Sequence, residues 1–254
     1  MNAWNLKGKR ALVTGGSKGI GKAIVHEFLT LGAEVLFTAR RAPDVAAVEQ
    51  EFRQMGHSIH GIAADAALDR DRANLLEWIA REWGFLDILV NNAGVNIHKR
   101  SADYSREEYM NVLEIDLLAP FELCRLFLPL LQKSHGASII NLSSVAGTYD
   151  LHTGAPYGMS KAGLIQLSRT LAVEWARYKI RVNTVSPWFT ATPLVEDVLG
   201  DAKSFEAITS KTPLRRVADS AEIAAAVAFL AMDKASYITG HNLTVDGGVT
   251  ARLL

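Results

Sequence analysis

The sequence predicts an α/β fold: an open, doubly wound parallel sheet with helices on both faces, built as a single domain over residues 1–254. Short apolar runs alternate with segments of helical periodicity along the whole chain. A glycine-rich turn joins the first apolar run to the first helical one, and no linker, repeat or composition break divides the chain. The length is ample for a substantial core.

Arg10 to Val13 reads as a strand that runs into Thr14-Gly15-Gly16-Ser17-Lys18-Gly19-Ile20-Gly21. Ile20, Ile24, Phe28 and Leu31 then recur at helical spacing until Gly32, and Glu34 to Thr38 makes a second strand. A β-α-β unit with glycines at its first turn suits a pyrophosphate lying on backbone N–H groups at a helix N-terminus. Glycine is needed where the backbone turns sharply against a ligand. After the second strand an acidic residue would favour the 2′-hydroxyl of NAD, but the chain reads Thr38-Ala39-Arg40-Arg41. Two guanidinium groups, with Lys18 in the glycine turn, fit a 2′-phosphate and predict NADP(H) as cofactor.

Asp44 to Met55 predicts a polar helix, His57 to Ala64 a third strand ending at Asp65, and Asp69 to Trp83 a second long helix. Leu86 to Val90 leads into Asn91-Asn92-Ala93-Gly94, small and polar residues at the carboxyl end of a strand, where open parallel sheets bind ligands. Ser105-Arg106-Glu107-Glu108 fits a capping box that opens a helix through Leu118, and Pro120 predicts a kink inside that pattern. The helix continues to about Lys133, and Gly136 precedes a strand ending at Ser144.

Tyr157 and Lys161 are four residues apart, which on a helix puts both on one face. A phenol is a poor proton donor and acceptor at neutral pH, and an ammonium one turn away favours its ionised form, as acid/base chemistry near pH 7 requires. A hydroxyl at Ser144 could hydrogen-bond the same substrate oxygen. Leu164, Leu167, Leu171 and Trp175 continue the helix as core or subunit interface. Arg181 to Ser186 is a strand ending at Pro187-Trp188, and residues 188–212 read as an irregular substrate lid. Ser220 to Met232 is an apolar helix, and Asn242 to Val245 a last strand into Asp246-Gly247-Gly248.

Lys and Arg total 27 and so do Asp and Glu, which gives no sign of a nucleic-acid or anionic-membrane partner. No apolar run reaches the ~18 residues of a bilayer span, and the N-terminal stretch lacks a signal-peptide layout, so a cytoplasmic location is expected. Cys124, the single cysteine, excludes intrachain disulfides and reads as a small buried hydrophobe. No His, Asp and Glu grouping has metal-ligand spacing, so no catalytic metal is expected.

These motifs, in this order, resemble those of the short-chain dehydrogenases/reductases over almost the entire chain: Thr14-Gly15-x-x-x-Gly19-x-Gly21, Asp65, Asn91-Asn92-Ala93-Gly94, Ser144, Tyr157-x-x-x-Lys161, Pro187 and Asp246-Gly247-Gly248. The resemblance implies a Rossmann-type fold and a reversible ketone–alcohol reaction with Tyr157 as general acid or base. Lys161 would lower the Tyr157 pKa and bind the nicotinamide ribose hydroxyls, and Ser144 would orient the substrate carbonyl. Gly15, Ser17, Lys18, Gly19, Ile20 and Gly21 would hold the pyrophosphate side. Asp65 and Ala66 would meet the adenine, Asn92, Ala93 and Gly94 would line the cofactor, and Pro187, Thr190 and Thr192 would position the carboxamide and phosphate. A homodimer or homotetramer through the long helices beside the Ser144 strand is also implied.

Two positions depart from the family. Asp116 stands where an Asn usually anchors a water relay behind the Lys, and we include it among the catalytic candidates; Trp188 replaces the usual Gly after Pro, which would narrow the pocket. The arginines and the segment SPWFTATPLVEDVL look most like tropinone-reductase-like members. Substrate-facing candidates are Asn96, His98, Val145, Tyr149, His152, Trp188, Leu194, Val195 and Leu199, a largely apolar set that suits a small to medium lipophilic ketone. Alternatives are an NAD-linked secondary-alcohol, polyol or steroid dehydrogenase, an acyl-carrier-protein reductase, and an inactive dinucleotide-binding regulator. Ser134 and Val173 replace the basic docking residues of acyl-carrier-protein reductases.

Overall fold

The computed structural model describes residues 4–252. Seven strands among them, β1 (Arg10–Thr14), β2 (Glu34–Ala39), β3 (Ile59–Ala63), β4 (Ile88–Asn91), β5 (Ser138–Leu142), β6 (Arg181–Pro187) and β7 (Asn242–Val245), form one parallel sheet in the order 3-2-1-4-5-6-7. The helices are α1 (Gly19–Thr30), α2 (Ala42–Gln54), α3 (Asp69–Glu82), α4 (Arg106–Leu113), α5 (Ala119–Leu131), α6 (Ala155–Trp175), α7 (Glu196–Gly200), α8 (Ala202–Lys211) and α9 (Ser220–Ala231). The chain is the expected single-domain, doubly wound Rossmann-type fold.

Alternation along each strand builds the two layers. Val13, Phe37, Val90, Ile140 and Val185 bury themselves under α1, α2 and α9, whereas Leu12, Leu36, Leu89, Ile139 and Val182 meet α3, α5 and α6. Both faces are covered, so the strands read as continuous apolar runs. Phe28, Phe37 and Phe127 are fully buried, and burial of each side chain is worth about 1.5–3 kcal/mol relative to exposure. Cys124 is buried in the same layer as Phe127, which pushes its thiol up to about 12 and leaves it an inert packing group.

Because the strand order reverses beside β1, the carboxyl ends of β1 and β4 open onto a crevice at the switch point. Thr14-Gly15 and Asn91 to Gly94 stand there.

Three expectations change in detail. The third strand starts at Ile59, because His57 still donates its N–H to Phe52 at the end of α2. The segment read as irregular contains α7 and α8; Asp201 starts α8 by accepting the Ser204 N–H at 2.9 Å, a cap the sequence reading missed. The irregularity expected at Pro120 lies just before it, as a π-helical turn over Glu114–Leu118. Pro120 has no N–H to give the Asp116 carbonyl four residues back, and the Ala119 N–H bonds Glu114 instead. Among the described residues no helix is long and apolar enough to cross a membrane.

Candidate active site

The glycine turn is a backbone cradle. Gly15 and Gly19 have φ of +67° and +51°, a region costly for other residues. A Cβ on Gly21 would lie 2.1 Å from the Gly15 carbonyl oxygen, so only glycine lets α1 start this close to β1. Lys18 at the N-cap makes no side-chain cap, leaving first-turn N–H groups of a 12-residue helix free for an anion. The cradle is tied to the next loop: Asn92 Nδ2 donates to the carbonyls of Thr14 (2.9 Å) and Gly15 (3.1 Å), and Thr14 Oγ1 accepts the N–H groups of Asn92 and Ala93. Ser17 and Ile20 are half-buried in and after this turn, and Thr192 approaches Gly19. These residues fit the pyrophosphate of a dinucleotide.

Ser144, Tyr157, Lys161 and Asp116 come together next to it. Pro156 in the first turn of α6 begins the helix that carries Tyr157 and Lys161 on one face, with Lys161 Nζ 5.4 Å from the Tyr157 ring centre. The turn from Ser144 to Gly147 packs on that helix so closely that a Cβ on Gly147 would meet the Lys161 main chain at 2.7 Å. Ser144 Oγ accepts the Ala146 N–H at 3.1 Å, which leaves its own proton to donate. Lys161 Nζ donates to the Leu142 carbonyl at 3.1 Å and lies 3.0 Å from Asp116 Oδ2, with Asp116 fully buried. Asp116 Oδ1 accepts the Val95 N–H at 2.8 Å, whereas Oδ2 has no hydrogen-bond donor in line. Burial pulls the Lys161 ammonium down, but the Asp116 charge, then Tyr157, more than offset it and hold Lys161 above its ordinary value. Burial also pushes the Asp116 carboxyl up, against Lys161 and the Val95 N–H.

A polar network beneath the site escaped the sequence reading. Asn91 Nδ2 donates to Asn141 Oδ1 at 2.7 Å, and Asn141 Nδ2 donates to Ser168 Oγ at 2.8 Å, all three buried. It links β4, β5 and α6; Asn91 was read only as part of the ligand-binding turn, and Asn141 inside the apolar run of β5 was a further sequence signal.

The rim is more open. Lys18 Nζ lies 3.2 Å and Arg41 Nε 4.0 Å from Asp44 Oδ2, and Arg40 is exposed beside them. Asp65 Oδ1 accepts the Ala67 N–H at 3.0 Å, and Ala66 is buried next to it. Asn96 is half-buried, with its Oδ1 lacking a donor, and Val145 is buried. His98 and His152 are exposed and joined, His98 Nε2 lying 2.6 Å from the His152 carbonyl. Tyr149 and Leu194 are exposed, and Val195 and Leu199 half-buried. Pro187 ends β6 buried, and Thr190 Oγ1 donates to the Trp188 carbonyl at 3.0 Å. The Trp188 indole donates to Thr212 Oγ1 at 3.0 Å and stands edge-on to Phe189, anchored at the foot of α8.

A family model described as enoyl-(acyl carrier protein) reductase matches residues 15–250. A tropinone reductase homolog from Arabidopsis thaliana is 42% identical over 248 residues, covering 97% of this chain and 94% of the relative. The structure of a gluconate 5-dehydrogenase from Burkholderia cenocepacia in complex with NADP and tartrate superposes with a TM-score of 0.95 at 26% identity, covering 99% of each chain. A short-chain type dehydrogenase/reductase from Mycobacterium marinum does so with a TM-score of 0.92 at 30% identity, covering 98% of each. With the crevice, the glycine cradle and the Ser144, Tyr157 and Lys161 cluster, these likenesses establish that the chain belongs to the short-chain dehydrogenase/reductase family of oxidoreductases and is similar to its tropinone-reductase-like members.

Proposed function

We propose that the protein is an NADP(H)-dependent reductase of small to medium lipophilic ketones, working reversibly on the corresponding secondary alcohols. The observation that carries this reading is Lys161, a buried and charge-compensated ammonium 5.4 Å from the Tyr157 ring on one face of α6. A nicotinamide cofactor held by the glycine cradle and Lys161 would supply the hydride for the carbonyl carbon. The Tyr157 hydroxyl gives its proton to the carbonyl oxygen, and Lys161 stabilises the phenolate left behind. Ser144 donates a hydrogen bond to the same oxygen and fixes its orientation. Val145, Leu194, Val195 and Leu199 supply the apolar wall, and residues 188–212 cover it as a lid.

Preference for NADP(H) rests on Lys18, Arg40 and Arg41 clustering at the edge of the cradle with no acidic residue at the end of β2. The NADP in the Burkholderia cenocepacia relative supports it. That relative is a gluconate 5-dehydrogenase, which favours a polyol-type alcohol as the second reading. Exposed Leu118, Phe121, Met159 and Val173 on the α4–α5 and α6 faces suit the family-type subunit contact.

The test is a calorimetric titration with NADPH and NADH side by side, followed by turnover on cyclic ketones and on polyols. Tighter NADPH binding with ketone turnover is expected. Tighter NADH binding with polyol oxidation would replace the reading by its alternative.

A further inference from the structure

The family pattern puts an amide where this chain has Asp116, and the carboxylate reaches Lys161 directly. Lys161 Nζ donates to the Leu142 carbonyl at 3.1 Å, lies 3.0 Å from Asp116 Oδ2 and stands 5.4 Å from the centre of the Tyr157 ring. Asp116 is held in this pose from two directions. It lies buried within the π-turn before Pro120, and the Val95 N–H holds its other oxygen. With side-chain exposures of 0% and 6%, neither partner is screened by water.

An isolated ammonium near a phenol stabilises the phenolate. An ammonium with a carboxylate at 3.0 Å is a dipole, and its field at a third group is far weaker. We propose that Asp116 is a positioning residue that holds Lys161 as an ammonium while cancelling much of its charge at Tyr157, so that the phenol stays protonated and the site is set toward proton donation, the direction of carbonyl reduction. The charge cancellation stands on the geometry; the link to reduction rests on the function proposed above.

Other charges do not supply this effect. Asp116 is the carboxylate in contact with Lys161, at 3.0 Å, and Tyr157 is the phenol beside it. On the flanking loops, His98 sits on the His152 carbonyl, Asp150 pairs with the His152 ring, and Tyr104 donates to the Ile97 carbonyl. On α4, Glu108 pairs with Lys99; Glu114 on the π-turn is half-buried. Each surface pair closes on itself.

The test uses protein without cofactor or substrate. Phenolate absorbance is titrated for the wild type and for Asp116→Asn, each minus the same protein carrying Tyr157→Phe, which isolates Tyr157 among the chain's 6 tyrosines. Asn keeps the acceptor for Val95 and removes only the charge. The Tyr157 ionisation is expected to move to lower pH in Asp116→Asn, and in Asp116→Ser as a second neutral variant, with near-UV circular dichroism reporting the fold. An unchanged or higher midpoint in a folded neutral variant overturns the inference. If the shift is present but no NADPH-linked ketone reduction is found, the functional reading fails and the charge cancellation stands. Reduction without the shift removes the inference alone.

Discussion

The two halves of the site are built by different physics. The floor, formed by the ends of β4 and β5 with α6, is buried and polar: Asn91, Asn141, Ser168, Lys161 and Asp116 exchange hydrogen bonds and charge with little or no access to water. The rim, formed by Lys18, Arg40, Arg41 and Asp44, carries its charges mostly in solvent, with Lys18 and Arg41 56% and 72% exposed. In the floor each charge must have a specific partner, because an unpaired one is costly there. On the rim, screened charges can be exchanged at little cost to folding. Lys161 and Asp116, which stand behind the proposed proton donor, sit in the first environment with half-buried Tyr157 at its edge, and the residues assigned to cofactor choice sit in the second.

The sharpest way to break this contrast is Tyr157→Phe, which removes only the proton donor. Turnover should fall by about 10²–10⁴-fold while calorimetric NADPH affinity stays within a factor of two or so. Retained turnover would move proton transfer away from the floor. Next in size, Lys161→Met strands the Asp116 carboxylate and should cost about 3–5 kcal/mol in urea unfolding. Adding Asp116→Asn to it should recover much of that loss, whereas additive losses would mean that the two side chains do not act as a pair.

On the rim, Arg40→Ala should weaken NADPH about tenfold, leave NADH nearly unchanged and reduce the salt dependence of NADPH binding without altering thermal stability. An equal effect on both cofactors would show that Arg40 does not read the 2′-phosphate. The smallest effect concerns a fully surface device. Arg216 holds the Glu222 carboxyl down to about 2, aided by the Asp219 N–H. Its contribution to stability should therefore be complete above the ordinary value of 4.5 and disappear as pH falls through about 2. Glu222→Gln should flatten the acid limb of a thermal-melting profile slightly and leave pH 7 behaviour almost unchanged; a large loss at pH 7 would place this pair with the buried ones.

Much of this was legible from local pattern. The β1 turn needs glycine for reasons of backbone geometry that a sequence displays directly. The Ser105 capping box is present as read, with Ser105 Oγ accepting the Glu108 N–H. Tyr157 and Lys161 share a face because a helix has 3.6 residues per turn. The α7 and α8 pair was missed because short helices that bury little resemble loops: α7 buries no side chain and α8 buries Ile208. Pro120 signalled an irregularity, but the displaced turn depends on which carbonyl loses its donor and on what packs against it: Leu117 fills the space over Gly163 of α6.

The sequence by itself determined the alternation of strands and helices, the glycine cradle, the one-turn spacing of Tyr157 and Lys161 and hence the family, because each depends on neighbours within a few positions. Tertiary structure alone decided that Asp116 pairs with Lys161 across 45 positions, that Asn91, Asn141 and Ser168 form one buried chain, and that the Trp188 indole turns to Thr212. Those contacts join separate elements, and they depend on the packing of β4, β5, β6 and α6, which no local periodicity encodes.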